Sequence, residues 1–322
     1  MIVVENLHKT FGTKKAVNNL SFNVAQGQVL GLIGPNGAGK STTMRMVSGY
    51  LRPTAGTVHL CGINVWKNPV KAKAQLGYLP ESAPLFEELT VHEFLNYLGS
   101  IRGLSGKGLE KACDRVIDQC FLGQVRHQLI DTLSKGYRHR TCLAQSLLHD
   151  PPVIIFDEPT DGLDPNQKEE IRNLVNGFRE DKAIILSTHI LEEVNAVCTD
   201  VLLIDNGTKL FHGTPKELRS HSASYGNVSI HARPGSAERL KETVMQSAAM
   251  NMASHVEPTP SGLYIQPRER TRESAERLAA ALLHAAHENN VEICGITHDE
   301  GSLEDVFRSL TIQSKSTDTD NT

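Results

Sequence analysis

Short apolar runs bounded by turns alternate with helical patterns from residue 28 to about residue 205. This alternation predicts a mostly parallel β-sheet that is covered by helices. The apolar runs are almost uninterrupted, as expected of strands that are buried on both faces. The predicted strands span 28–33, 153–157, 183–187 and 201–205.

Other segments of the chain up to residue 205 have different patterns. Apolar and polar residues alternate in 2–4, 20–24 and 56–60, which predicts an antiparallel β portion. Between about 82 and 150 the strand pattern gives way to helical periodicity, which predicts a helical insertion. The fold class is therefore α/β, with a mostly parallel sheet, an antiparallel β portion and a helical insertion.

The chain beyond residue 218 has its own succession of elements. The sequence Thr214-Pro215-Lys216-Glu217 predicts the start of a helix, and 219–226 is polar enough to be a linker. Strands and helices then alternate in the order strand, helix, strand, helix, strand: 227–232, 237–250, 262–266, 273–287 and 291–297. We expect a small C-terminal α+β domain over 227–311, ending in a helix capped by Ser302, and a disordered tail over 312–322.

Length, charge and cysteine usage narrow the function classes. A chain of 322 residues suggests two domains. Its net charge of -4 comes from scattered residues, so no basic field indicates a nucleic-acid partner. The sequence shows neither an apolar stretch of the ~20 residues that a membrane span needs nor a signal peptide, which indicates a cytosolic chain. The six cysteines form no CxxC pair and are expected to be reduced.

Residues 34–42 carry the most informative motif. They follow the apolar run 29–33 and precede a helical pattern, and this context makes a GxxxxGK[ST] match a phosphate-binding loop rather than a chance Gly-rich turn. Backbone N–H groups and the helix N-terminus would hold the phosphates, with Lys40 adding a positive charge and Ser41 an oxygen for Mg²⁺. The predicted ATP-binding residues of this loop are Gly34, Pro35, Asn36, Gly37, Ala38, Gly39, Lys40, Ser41 and Thr42.

An apolar strand, 153–156, ends in two carboxylates. In a nucleotide-binding sheet Asp157 can hold Mg²⁺ through water, while Glu158 is placed to polarise the attacking water. The alternative is a strand followed by an acidic turn, which the preceding phosphate-binding loop makes less favourable.

With these motifs the chain resembles the nucleotide-binding subunit of an ABC transporter, over residues 1 to about 218. The resemblance implies a P-loop nucleoside triphosphate hydrolase core that binds ATP and Mg²⁺. It also implies a head-to-tail dimer in which Ser134, Lys135 and Gly136 of Leu133-Ser134-Lys135-Gly136-Tyr137 face the γ-phosphate bound to the opposite subunit.

The same resemblance assigns the remaining site residues. Phe11 matches the aromatic residue that stacks on adenine, and His189 matches the switch histidine that contacts the γ-phosphate. Asp164 ends the sequence Asp161-Gly162-Leu163-Asp164, which resembles the D-loop that couples the two sites. We therefore expect Lys40, Glu158 and His189 to carry catalysis.

Departures from the family pattern occur at Glu81, Lys135 and His139. Glu81 stands where glutamine is common, and its oxygen is expected to hold Mg²⁺ together with Ser41 and Asp157. Lys135 replaces a typical glycine and adds a cation near the partner's phosphate. No mechanistic role follows for His139, which replaces a common glutamine.

Residues 302–307 resemble the C-terminal extension of bacterial exporters of drugs, polysaccharides and gliding-motility components. The resemblance thus implies an ATPase that pairs with a second copy and drives a separate integral membrane permease for export. It would lie on the cytoplasmic face of the inner membrane, with 82–94 as the docking segment. The rivals are a soluble ABC-type ATPase without a transporter and a non-catalytic regulatory binding module.

Overall fold

A computed structural model describes residues 1–81 and 85–318, with side chains to residue 311. Its contacts divide the chain into two compact units, Met1–Thr214 and Pro215–Thr322. No helix among the described residues is long and apolar enough to cross a membrane.

The strands of the first unit form two sheets. They are β1 (Ile2–Phe11), β2 (Lys14–Val24), β3 (Val29–Ile33), β4 (Ala55–Leu60), β5 (Ile63–Asn64), β6 (Leu76–Leu79), β7 (Val153–Asp157), β8 (Ala183–Ser187), β9 (Asp200–Asp205) and β10 (Thr208–Gly213). One sheet has the order β2-β1-β4-β5 and is antiparallel. The other has the order β10-β9-β3-β8-β7-β6 and is parallel except for the β9–β10 hairpin. The predicted mixture of a mostly parallel sheet and an antiparallel portion is confirmed.

The helices of the first unit surround the parallel sheet. They are α1 (Lys40–Val47), α2 (Pro69–Lys73), α3 (Val91–Ile101), α4 (Gly106–Gln119), α5 (Lys135–Leu147), α6 (Pro165–Phe178) and α7 (Leu191–Val197). Of these, α3, α4 and α5 lie between β6 and β7, where the sequence predicts the helical insertion. A capping box begins α3, since the Thr90 hydroxyl accepts from the Glu93 N–H and the Glu93 carboxylate accepts from the Thr90 N–H.

The parallel sheet separates two hydrophobic cores. In β7, Ile154 and Phe156 pack into the core shared with α3, α4 and α5. Their neighbours Val153 and Ile155 pack into the core shared with α1 and the antiparallel sheet. Because successive strand residues point to opposite faces, a strand that serves both cores must be apolar throughout. This explains the almost uninterrupted apolar runs.

The second unit is a separate α+β fold with its own core. Its elements are α8 (Pro215–Ser220), β11 (Val228–Ala232), α9 (Ala237–Gln246), β12 (Ala253–Thr259), β13 (Gly262–Pro267), α10 (Arg272–Glu288), β14 (Ile293–His298) and α11 (Leu303–Asp318). The strands pair antiparallel in the order β12-β13-β11-β14, so β11 to β14 make a ferredoxin-like βαββαβ fold.

Three details of the second unit differ from the sequence pattern. Strand β12 has no predicted counterpart, because most of its side chains are exposed and Pro258 interrupts it. The predicted helix 237–250 ends at Gln246 and is followed by a 3₁₀ helix, Ala248–Met252. In the predicted linker 219–226, the first two residues belong to α8.

The C-terminal helix begins as predicted, since the Ser302 hydroxyl accepts a hydrogen bond from the Asp305 N–H at 3.2 Å. The backbone of α11 continues to Asp318, through much of the tail that the sequence predicts to be disordered. The rest of that tail, 319–322, lies outside the described residues, as do 82–84 of the predicted docking segment.

Candidate functional site

A cavity of about 460 Å³ opens beside the phosphate-binding loop. It brings together residues from the β1–β2 hairpin, the start of α1 and the segments that follow β6, β7 and β8. The lining residues are Phe11, Lys14, Ala16, Asn36, Gly37, Gly39, Lys40, Ser41, Thr42, Glu81, Glu158, Asp161 and His189. The volume lies within the range of small-molecule sites.

The loop that precedes α1 requires glycine at its last position. Gly39 has φ of 105°, and a Cβ there would lie 2.5 Å from the Ala16 carbonyl oxygen. This close approach lets the loop wrap around the cavity and begin α1 at Lys40. The N–H groups of the first turn therefore start at the site, as a phosphate cradle needs.

Lys40 is held under the loop rather than extended into solvent. Its side chain is 7% exposed, and Nζ donates to the carbonyl oxygens of Gly34 at 2.7 Å and Pro35 at 3.3 Å. Burial lowers the pKa of Lys40, whereas Glu158, Asp157 and Glu81 oppose that shift. The acidic neighbours thus favour the charged ammonium that phosphate binding requires.

Ser187, at the end of β8, fixes both carboxylate residues of the neighbouring strand. Its hydroxyl donates to Asp157 Oδ1 at 2.6 Å and accepts from the Glu158 N–H at 3.0 Å. Burial raises the pKa of Asp157, and the hydrogen bond from Ser187 opposes this. Glu158 has φ of 54°, a left-handed conformation that turns the chain after the strand and carries its side chain into the cavity lining.

Glu158 and His189 form a direct pair across the cavity. Glu158 Oε2 lies 2.9 Å from His189 Nδ1. A carboxylate only accepts hydrogen bonds, so Nδ1 carries the proton in this arrangement. The carboxylate is thereby oriented, and the other ring nitrogen, Nε2, is left for a further partner.

Mg²⁺ fits the oxygen donors that the site offers. Ser41 and Glu81 line the cavity, and the Asp157 carboxylate is buried at the end of β7. The described residues contain no cluster of three or more His, Cys, Asp or Glu side chains able to hold a metal on their own. The fit rests on the oxygen donors, because Mg²⁺ takes one or two carboxylates and completes its coordination with water and substrate phosphates.

Phe11 is placed for contact with a planar ring. Its side chain is 49% exposed in the cavity lining, although aromatic residues are usually buried. Lys9 Nζ lies 5.0 Å from the ring centroid. The exposed ring remains a predicted stacking surface for adenine.

The other predicted residues lie outside this cavity. Ser134 caps α5, and Lys135 and Gly136 begin that helix, but none of these residues is in the described cavity lining. Asp164 caps α6 by accepting from the Gln167 N–H at 2.9 Å. Asp161, at the start of the same sequence, contributes to the lining, and the role of Asp164 stays a prediction.

Glu193 was not predicted from the sequence, yet the structure places it between the segments that carry Glu158 and His189. Glu193 is 1% exposed, and its carboxylate accepts hydrogen bonds from the hydroxyls of Thr160 and Thr188. These threonines follow Glu158 and precede His189, respectively. A glutamate in the first turn of a helix is usually exposed, so only three-dimensional proximity distinguishes this one.

The comparisons with known proteins identify the family of the chain. The family described as ABC transporter matches residues 17–161. The chain is 33% identical to the Nod factor export ATP-binding protein I of Ralstonia nicotianae over 315 residues, 97% of this chain and 94% of that protein. It is 30% identical to the linearmycin resistance ATP-binding protein LnrL of Bacillus subtilis over 97% of this chain and 98% of that protein.

A solved structure of the ATP-binding subunit of an ABC transporter superposes on this chain with a TM-score of 0.64. The two sequences are 30% identical, and the superposition covers 68% of this chain and 92% of that one. These findings confirm the resemblance that the motifs indicate and the P-loop nucleoside triphosphate hydrolase fold. The chain belongs to the ABC transporter family, as an ATP-binding ATPase subunit.

Proposed function

We propose that two copies of this chain bind ATP and Mg²⁺ between them, hydrolyse the ATP, and drive a separate integral membrane permease for export. The observation that carries the proposal is the cavity that joins the phosphate-binding loop to Glu158 and His189. The N-terminus of α5, with Ser134, Lys135 and Gly136, does not reach that cavity among the described residues. A second chain placed head to tail supplies it.

Each residue has a role that follows from its position. Lys40 and the backbone of the loop bind the phosphates, while Phe11 stacks on the base. Glu158, oriented by His189, polarises the attacking water and accepts its proton. The α5 N-terminus of the second copy offers free N–H groups to the γ-phosphate. Ser41, Asp157 and Glu81 would hold Mg²⁺, which neutralises phosphate charge.

A permease needs a docking surface. The described part of the predicted docking segment, together with α3, presents exposed apolar side chains that fit this role. Phe86, Tyr97 and Ile101 are 48%, 51% and 65% exposed. Phe86 stacks edge-on against Tyr97, with ring centroids 5.7 Å apart. An exposed apolar surface of this kind is typical of protein contacts.

An ion pair connects this surface to α5. Arg138 NH1 lies 3.2 Å from Glu87 Oε1, and Arg138 also donates to the carbonyl oxygens of Leu133 and Asp131. Movement at the docking surface can therefore reach the helix that contacts the second ATP. The proposed location is the cytoplasmic face of the inner membrane.

Export is proposed because the relatives named above are a Nod factor export ATP-binding protein and a linearmycin resistance ATP-binding protein. Both align over almost the whole chain, including the C-terminal unit. The cargo would be recognised by the permease.

The ATPase part is tested with Lys40→Ala in the full-length chain. Loss of the buried ammonium should weaken binding of labelled ATP and abolish turnover together. Lys111→Ala, which removes an exposed lysine from α4, is the matched control and should behave as the unchanged protein. Unchanged binding and hydrolysis in Lys40→Ala would refute the phosphate site.

The transport part is tested by purifying the tagged chain from membranes and identifying the integral protein that accompanies it. Tyr97→Ser should reduce recovery of that protein, whereas Tyr50→Ser, at a tyrosine that is 77% exposed elsewhere in the unit, should not. An active ATPase that never recovers an integral membrane protein would favour the soluble ABC-type ATPase.

A further inference from the structure

Lys135 and Asp161 form an ion pair within one chain, and the roles proposed above for the ATP site do not account for it. We infer that Lys135 is a positioning residue, which holds the loop after Glu158 in place through the carboxylate of Asp161. The inference rests on the proposed ATPase function, because it assigns a role inside that site.

The contact joins the start of α5 to the D-loop. Lys135 Nζ lies 3.5 Å from Asp161 Oδ2. The Lys135 side chain also crosses Gly162, which has φ of 68°, and a Cβ at that position would overlap the ammonium group. A glycine at 162 therefore leaves room for the lysine and permits the turn.

Asp161 transmits the contact to the residue that polarises water. Its N–H donates to the Glu158 carbonyl oxygen at 3.2 Å, closing a turn directly after the β7 carboxylates. Its side chain lines the same cavity as Glu158 and His189. A displacement of Asp161 therefore changes the turn that carries Glu158.

Neighbouring residues of α5 contact the start of α6 and the same loop. Gly136 lies against the Gln167 side chain, where a Cβ would be 2.7 Å from Oε1. The ring of His139 donates a hydrogen bond to the Pro159 carbonyl oxygen. These contacts are neutral, so Lys135 supplies the charge that meets the Asp161 carboxylate.

The pair also reduces the negative charge of the cavity. The cavity lining contains the carboxylates of Glu81, Glu158 and Asp161, which repel the phosphates of ATP. Lys135 offsets one of them from outside the lining.

The pair is too exposed to contribute much to global stability. The side chains of Lys135 and Asp161 are 70% and 58% exposed, and ion pairs of this kind add little to the free energy of unfolding. Its loss should therefore appear in turnover rather than in the melting temperature.

The test is a double-mutant cycle in the full-length protein with Lys135→Met, Asp161→Asn and the combination. Each single variant should lower kcat about fivefold while KM for ATP and the melting temperature stay close to the starting values. The double variant should be no worse than either single one, and Lys135→Arg should retain most of the activity. Arg126→Met with Asp114→Asn, at an ion pair of 2.7 Å in the same unit, is the matched control and should leave kcat unchanged.

A second readout requires no turnover. Hydrogen exchange of the Asp161 amide should be faster in Lys135→Met than in the starting protein or in Arg126→Met. This distinguishes the inference from the proposed function, which fails if the starting protein hydrolyses no ATP. The inference is overturned if Lys135→Met leaves kcat or the amide exchange unchanged. It is also overturned if the two substitutions multiply, as they would if Lys135 acted on the second copy's phosphate independently of Asp161.

Discussion

The hydroxyl of Ser187 illustrates how single atoms organise this site. It donates a hydrogen bond to Asp157 Oδ1 and accepts one from the Glu158 N–H, so one hydroxyl contacts the side chain of the first carboxylate residue and the backbone of the second. Asp157 is held buried at the strand end, whereas Glu158 leaves the strand and meets His189. The adjacent carboxylates can therefore serve metal binding and water activation separately.

At this scale we expect Glu158→Gln to separate binding from hydrolysis. The amide keeps the size of the side chain but cannot accept a proton, so kcat should fall by about 100-fold or more while ATP affinity is retained. Size-exclusion chromatography with ATP and Mg²⁺ should then show a dimer that persists. Glu192→Gln, on an exposed carboxylate of α7, is the control. A variant that binds ATP and always elutes as a monomer would argue against a shared site.

Glu81 offers a test of the metal site. If its oxygen helps to hold Mg²⁺, Glu81→Ala should raise the Mg²⁺ concentration for half-maximal ATPase activity by about tenfold. This corresponds to the loss of metal affinity expected when one oxygen contact is removed. Glu81→Gln should have a smaller effect because it keeps an oxygen. The measurement is a Mg²⁺ titration at saturating ATP, and identical titrations in both variants would place Glu81 outside the metal's coordination.

At the scale of elements, sequence periodicity predicted the parts that are buried in a regular way. The strands β3, β7, β8 and β9 follow from apolar runs, and α10 from an apolar face that includes Ala275 and Leu278. Strand β12 did not follow, because an edge strand is stabilised by pairing with its neighbour rather than by a pattern of its own.

In the site, too, some residues could be predicted from the sequence and others could not. The phosphate-binding loop and the β7 carboxylates were evident, because their chemistry lies in adjacent residues. Glu193 and Asp161 were not selected, because their roles depend on distant partners such as Thr160 and Lys135. The contacts that support a site are set by packing, and spacing in one sequence does not reveal them.

A histidine that follows the end of α5 should couple stability to pH. His149 Nε2 lies 3.1 Å from the Leu76 carbonyl oxygen, and Arg102 is beside the ring. Burial, together with Arg102, lowers the pKa of His149 to about 4. The unfolded chain then binds a proton more readily, so this residue reduces stability as pH falls from about 6.5 towards 4.

Chemical denaturation at pH 7 and pH 5 should show this as a loss of up to about 2 kcal/mol attributable to His149. In His149→Asn, which cannot titrate, the difference between the two pH values should be smaller by that amount. Equal differences in the two proteins would mean that His149 is protonated as easily in the folded chain as in the unfolded one.

At the scale of the whole molecule, each unit has a core of its own, and the catalytic motifs all lie in the first. Truncation after Thr214 should therefore leave a folded chain that binds ATP with little change. We propose that the second unit pairs with its twin, which raises the effective concentration of the two ATPase units. The truncated chain should then show a steeper dependence of ATPase rate on protein concentration.

Analytical ultracentrifugation and ATPase assays over a range of protein concentrations check this prediction. Aggregation of the truncated chain would indicate that the second unit only covers apolar surface. A soluble truncated chain with the same rates as the full-length protein at every concentration would exclude a role in assembly.

Because the parallel sheet lies between two apolar cores, the register of its strands is not fixed by hydrophobic burial during folding. A strand that is apolar on both faces could shift its register by one residue and still bury apolar side chains. Hydrophobicity alone therefore does not fix the register of β7 against β8. Asp157 and Ser187 lie opposite each other in the two strands, and the hydrogen bond between their side chains favours the observed register. The Asp157 carboxylate, a predicted ligand of Mg²⁺, thus also fixes the pairing of β7 with β8. Loss of this hydrogen bond would favour a pairing shifted by one residue, which would place a different side chain at the edge of the sheet.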